Sequence, residues 1–179
     1  VQLKPQDTLL AIKYWSLKQD SKYMGVREIA QAISISPSEV SKGTSRLVAA
    51  KLCIEREGNV FAEKGALLEW LKFGVRYVYP QESVGYGRGI ATSWNCPILI
   101  SEMVPPSPAL VWPIPSGDED GVLIRPFHES IPIAASRDER LYLAMSLVEA
   151  IRGGKPRELE IARNILDSVI KNDNEELRI

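Results

Sequence analysis

The sequence predicts a mainly α-helical chain with one small β-hairpin, followed by a long irregular segment and a C-terminal helical hairpin. Three observations predict it. Apolar residues recur at helical spacing near the start of the chain and again from about residue 137, Gly58-Asn59 separates two short runs, and residues 81–126 are rich in glycine and proline. The 179 residues, 45% hydrophobic and 25% charged, suit one ordinary domain or a small domain with a substantial extension.

"LKPQDTLLAIKYWSLKQ" has Pro5 at a favoured first-turn position, and Leu9, Leu10, Ile12, Tyr14 and Leu17 are too dense for an exposed helix. "DSKYMG" reads as a connector. "VREIAQAI" then sets Val26, Ile29, Ala30 and Ile33 at helical spacing, with Arg27, Glu28 and Gln31 facing out. After "SIS", Ser36-Pro37-Ser38-Glu39 carries a helix start twice over: Ser36 and Glu39 form a capping box and Pro37 takes the first helical position. On this third helix Val40, Gly43, Thr44, Leu47 and Val48 share one side, and Ser38, Ser41, Lys42, Ser45 and Arg46 the other. A short, hydroxyl-rich, basic face suits close approach to a major groove, where it can donate to base edges and phosphates. "LCIEREGNVFAEK" follows as a hairpin around Gly58-Asn59.

Net charge is only −1, but it is unevenly spread. Residues 1–64 hold ten Lys/Arg against seven Asp/Glu, residues 65–117 three of each, and residues 118–179 nine against thirteen. The basic excess coincides with the helical pair, which admits a polyanionic partner. No apolar run reaches membrane-spanning length and no secretory leader is visible, so a cytoplasmic location without a membrane partner is expected. Cys53 and Cys96 show no CxxC spacing and His128 is the single histidine, so neither zinc, another cofactor nor a Cys-His catalytic pair is expected.

With the hairpin directly after the third helix, residues about 5–64 resemble the winged helix-turn-helix domains of MarR-like bacterial transcription regulators. "V-REIAQAISISPSEVSKGTSRLVAAKLC" carries the resemblance: a helix leading to an Ala, a turn, a Ser-Pro-Ser capped recognition helix, then Arg-Leu and "AAKL" into the wing. It covers about a third of the chain. It implies that the helix opening at Ser36 lays Ser38, Ser41, Lys42, Ser45 and Arg46 in or beside the major groove, with Arg56 and Asn59 near the adjacent minor groove or phosphates. Gly43 inside that helix costs about 1 kcal/mol relative to alanine. Either it permits close packing against the second helix, or the helix is looser than its relatives.

"KGALLEWLKFGVRYVYP" reads as a fourth helix with Leu67, Leu68, Leu71, Val75 and Val78 apolar, ending at Pro80. "GYGRG" lacks both the dinucleotide fingerprint and the Gly-Lys-Ser/Thr of a P-loop, and reads as a flexible turn. With six prolines from Pro97 to Pro115, and Trp94 and Trp112 among them, the segment is expected to wrap irregularly across the domain and bury its aromatics. Helices from about Arg137 to Ile151 and from Pro156 to Ile170 close the chain as a hairpin, with "EELRI" as a frayed tail. The chain thus divides into 1–80, the DNA-binding part with its following helix; 81–126, the irregular wrap; and 127–179, a dimerisation or partner-binding part. The expected function is a sequence-specific double-stranded DNA-binding regulator, a repressor acting as a homodimer without catalysis, with its seam on Leu141, Met145, Val148, Leu159, Ile165 and Leu166. The alternative is a protein-interaction subunit, antitoxin-like or an adaptor, that turns the winged part toward a protein partner and masks it with the acidic C-terminal helices.

Overall fold

The computed structural model describes residues 1–17 and 23–172; most of the expected connector's start and the "EELRI" tail lie outside them. The first part follows the sequence expectation closely. Helices α1 (Pro5–Ser16), α2 (Val26–Ile33) and α3 (Pro37–Ala49) precede a two-stranded antiparallel hairpin, β1 (Cys53–Arg56) and β2 (Asn59–Ala62). α2 ends where Ser34 turns left-handed at φ 53°, and Ser36 starts α3 by accepting from the Glu39 N–H at 3.2 Å. Only half of the expected capping box forms: the Glu39 carboxylate instead takes Gln6 at 3.0 Å and Lys4 at 3.3 Å, across to α1. The hairpin turn falls one residue earlier than expected, on Glu57 (φ 52°) and Gly58 (φ 77°), so Asn59 already pairs with Arg56. Positive φ at both central residues marks the turn type that matches strand twist.

Residues 64–78 form one rod: α4 (Lys64–Glu69), a π turn (Trp70–Gly74) and α5 (Val75–Val78). Gly74 is needed there because a Cβ would strike the Trp70 ring, whose Nε1 donates to Thr8 at 3.0 Å. Leu67, Leu68, Leu71 and Val75 face the core as expected, but Val78 is exposed. Tyr79 turns inward after it, stacking on Phe127 at 5.3 Å.

The expected wrap buries Trp94 and Trp112, but it is not irregular throughout, because it contains a small sheet. β3 (Ser83–Ala91), β4 (Leu110–Pro113) and β5 (Glu119–Ile124) each pair with the other two. β4 and β5 lie one after the other along β3, antiparallel to it, and β3 curls so that Leu110 and Val111 lie beside Val122 and Leu123 in parallel register, closing the sheet. This parallel pair needs no helical crossover, because Ile114 to Asp118 merely bridges two successive partners of one strand. The glycines make so tight a closure possible: a Cβ on Gly89 would strike the Trp112 carbonyl, and one on Gly121 the Ala109 carbonyl. "GYGRG" is therefore a strand, where a flexible turn was expected. Two 3-10 turns, Ser93–Asn95 and Pro97–Leu99, link β3 onward.

α6 (Ile131–Arg137), α7 (Glu139–Gly153) and α8 (Pro156–Lys171) complete the chain. α6 precedes the first expected C-terminal helix, where no helix was expected, and Asp138 caps α7 by accepting from Leu141 N–H at 3.0 Å. α7 is not one half of an exposed hairpin. It is buried on every side, from Leu141 and Met145 to Ser146, Glu149 and Arg152, and packs against α1, α5, α6 and α8. A helix apolar nearly all round belongs in a core. Its two buried charges satisfy each other. Glu149 accepts from Arg152 at 2.9 Å, Gln81 at 2.9 Å and Trp112 at 3.0 Å, while Arg152 also donates to the Tyr79, Pro80 and Arg125 carbonyls. One apolar cluster runs from Leu9 through Leu71 and Trp112 to Leu147 and Ile170, with no seam between the three expected parts.

Candidate nucleic-acid interface

α3 lies against α1 so closely that its inner residues settle what its outer ones can do. A Cβ on Gly43 would meet Asp7 Oδ1 at 2.8 Å and Leu10 Cδ2 at 3.0 Å, so the glycine serves packing against α1, not against the second helix. Val40 and Leu47 are buried beside it, and Tyr14 and Thr44 share a hydroxyl hydrogen bond of 2.7 Å. The opposite side is open: Ser38, Ser41, Lys42, Ser45 and Ala49 are all exposed, at spacings of three and four. Ser45 donates back to the Ser41 carbonyl at 3.2 Å, a bond that a better acceptor displaces easily, and Lys42 has no ion pair among the described residues. Ser36 is exposed too, with its oxygen engaged as the cap.

Arg46 departs from the expected outer face. Its guanidinium forks onto Asp7 with two bonds of 2.7 Å, and its side chain keeps only 19% of its surface against 0% for Asp7. The Asp7 bond holds the guanidinium above its ordinary pKa despite partial burial. Asp7 in turn caps α1 by accepting from Lys4 N–H at 2.8 Å. The reason is chemical: a buried carboxylate requires a bidentate partner, and Arg46 is the cation within reach. Arg46 therefore fixes α3 on α1 and is spent for phosphate contact.

On the hairpin, Arg56 is exposed and Asn59 half-buried, and alternation puts both on the outward side with Ile54 and Phe61. The Tyr23 hydroxyl donates to the Gly58 carbonyl at 3.3 Å across the tip. Glu63 caps α4 by accepting from Ala66 N–H at 2.6 Å. Two exposed cations lie outside the expected set, Arg27 at the start of α2 and Lys51 just after α3. Their signal in the sequence was position, each at the end of a helix of the pair.

The turn that aims α3 is held from the far end of the chain. Arg137 donates to the Gln31 carbonyl at 2.7 Å and to Ser34 Oγ at 3.1 Å, and the Ser130 hydroxyl to the Ser34 carbonyl at 3.0 Å. These groups satisfy carbonyls that the end of α2 would leave open. α6 is thus a buttress for the α2–α3 turn.

No group of three or more His, Cys, Asp and Glu that could hold a metal occurs among the described residues. Both cysteines are buried, and burial pushes the Cys53 thiol up to about 12 and the Cys96 thiol upward as well. His128 is pushed down by burial, with its Nδ1 accepting from Ser130 N–H at 3.2 Å. No described helix is long and apolar enough to cross a membrane. No protein-family model, curated protein or solved structure matches the chain.

Proposed function

We propose that the chain is a sequence-specific double-stranded DNA-binding regulator, a repressor by occupancy, that reads the major groove with the outer face of α3 and reaches the flanking backbone with Arg56 at the hairpin. The observation that carries this reading is the exposed stripe Ser38, Ser41, Lys42, Ser45 on a helix whose other side is locked onto α1 by Gly43 and the Asp7–Arg46 fork. A rigid helix with short hydroxyl side chains approaches base edges closely, and the free Lys42 supplies a phosphate or guanine donor. The three helices and hairpin take the order of a winged helix-turn-helix, which supports the same reading. No step of it is catalytic and none needs a cofactor.

The test is fluorescence anisotropy on duplex recovered from a genomic pool. Lys42→Ala is expected to weaken binding about tenfold while leaving the unfolding midpoint unchanged, and to reduce the slope of log affinity against log salt by about 1. Equal binding by wild type and variant removes α3 as the reading head. A second reading, a protein-interaction subunit of antitoxin-like or adaptor type, is favoured by the exposed Phe73, Tyr77 and Val78. Binding indifferent to sequence at every salt concentration supports that reading instead.

A further inference from the structure

We infer that the rod of residues 64–78 is a self-complementary seam through which two copies of the chain associate. The proposal supplies the homodimer with a surface, and for its purpose it rests on the DNA-binding reading. Of the seam first expected, the α7 stripe is closed, with Leu141, Met145 and Val148 each 0% exposed within one chain, as is Leu166 of α8, while Leu159 and Ile165 of α8 stay half-buried. The rod is the opposite case. Phe73, Tyr77 and Val78 are 54%, 76% and 54% exposed, three large apolar side chains within little more than one helical turn.

The charges around them identify the occupant. Lys72 is neutralised by Asp167 at 2.7 Å, and Arg163 donates to the Lys72 carbonyl and lies over the Phe73 ring at 4.8 Å. Two opposite charges on the rod have no ion pair among the described residues: Glu69, exposed one turn before Phe73, and Arg76, whose guanidinium lies over the Tyr77 ring at 5.6 Å and so stays on this face. They stand seven residues apart on the rod, on either side of the π turn's Phe73. Antiparallel packing of two such rods about a two-fold axis near Phe73 sets Glu69 of each copy against Arg76 of the other. The two Phe73 rings meet at the axis, and each Tyr77 faces the partner's first turns, where exposed Gly65 leaves room. A two-fold contact must use the same patch on both copies, and this patch is complementary to itself. An unrelated acidic partner would leave Glu69 unpaired, and a basic one Arg76.

The experiment is light scattering over a hundredfold concentration range, without DNA, so that failure of the seam and failure of the DNA reading are seen separately. Wild type is expected to rise from monomer toward dimer mass. Phe73→Glu is expected to raise the dimer dissociation constant at least tenfold, with circular dichroism unchanged because the side chain lies outside the core. Glu69→Arg and Arg76→Glu, each alone, are expected to weaken the dimer, whereas an equimolar mixture of the two is expected to form heterodimers in which both symmetry-related pairs again join opposite charges, one native and one reversed. A wild-type chain that stays monomeric throughout overturns the proposal and leaves the face to a different protein. Dimers indifferent to Phe73→Glu, or single-charge variants whose mixture associates no better than either alone, overturn it equally.

Discussion

Arg46 shows how a single residue changes role once its neighbours are placed. On a helical wheel it sits with Ser38, Lys42 and Ser45, and nothing local distinguishes it from a phosphate contact. Asp7, 39 residues earlier, does: a fully buried carboxylate with two 2.7 Å bonds to one guanidinium is a structural fork. Arg46→Ala is therefore expected to cost about 3 kcal/mol in urea unfolding, the lower end for a broken buried pair because Arg46 keeps some water contact. Unchanged stability, with DNA binding lost, would return Arg46 to the reading face. Asp138 gives a pH dependence at the same scale. Burial raises its pKa, but the Lys13 ammonium at 2.7 Å, the Ser16 hydroxyl at 2.6 Å and the Leu141 N–H outweigh burial and hold it below the ordinary aspartate value. Its stabilisation is present above the unfolded-state value, about 3.9, and is lost as pH falls through the lower folded value. Urea midpoints for wild type should fall below about pH 4 more steeply than those for Asp138→Asn, which has no such proton to gain. Parallel pH profiles would show that Asp138 contributes nothing to the acid response.

At the scale of elements, legibility followed the range of the interactions. The start of α3 was readable because Ser36, Pro37 and Glu39 act within one turn, and the hairpin because Gly58 supplies a left-handed residue locally. The three-stranded sheet was not. Glycines at 85, 87 and 89 erase the alternation by which a strand is recognised, and its partners lie 20 to 40 residues on, among prolines. Those same glycines are what the closure demands. Gly89→Ala sets a Cβ against the Trp112 carbonyl, which cannot rotate away, so a loss of about 2 kcal/mol or more is expected in thermal or urea melts. Gly58→Ala strains only the local left-handed turn, where open space surrounds the added atom, and is expected to cost less. The reverse order would show that the sheet is looser than its backbone contacts require.

The whole molecule is organised around α7, and here the sequence pattern misled for a physical reason. Leu141, Met145, Val148 and Ile151 form a stripe, but Leu143, Ala144, Leu147 and Ala150 fill the rest of the circumference, and Glu149 and Arg152 hide their polarity by pairing. A stripe says that a face is covered, not which chain covers it. The consequence is that removing residues 127–179 takes out the centre of the core together with Arg137 and Ser130, which brace the turn before α3. That truncated chain is expected to give no cooperative unfolding transition by circular dichroism; a folded remainder would show that α1 to β5 make an independent unit. The outer face of α3 was legible from spacing alone, since exposure of Ser38, Ser41 and Lys42 follows from the burial of Val40, Gly43 and Leu47.

The central claim is that this face reads DNA sequence. Its most direct measurement is repeated selection of duplexes from a random library by the wild-type chain, followed by hydroxyl-radical footprinting of the recovered sequence with wild type and Lys42→Ala. The account predicts convergence on a discrete two-fold pseudo-palindrome, half-sites about one helical turn apart, with protection lost or sharply weakened in the variant. A library that never converges, or a footprint that Lys42→Ala leaves intact, would contradict it.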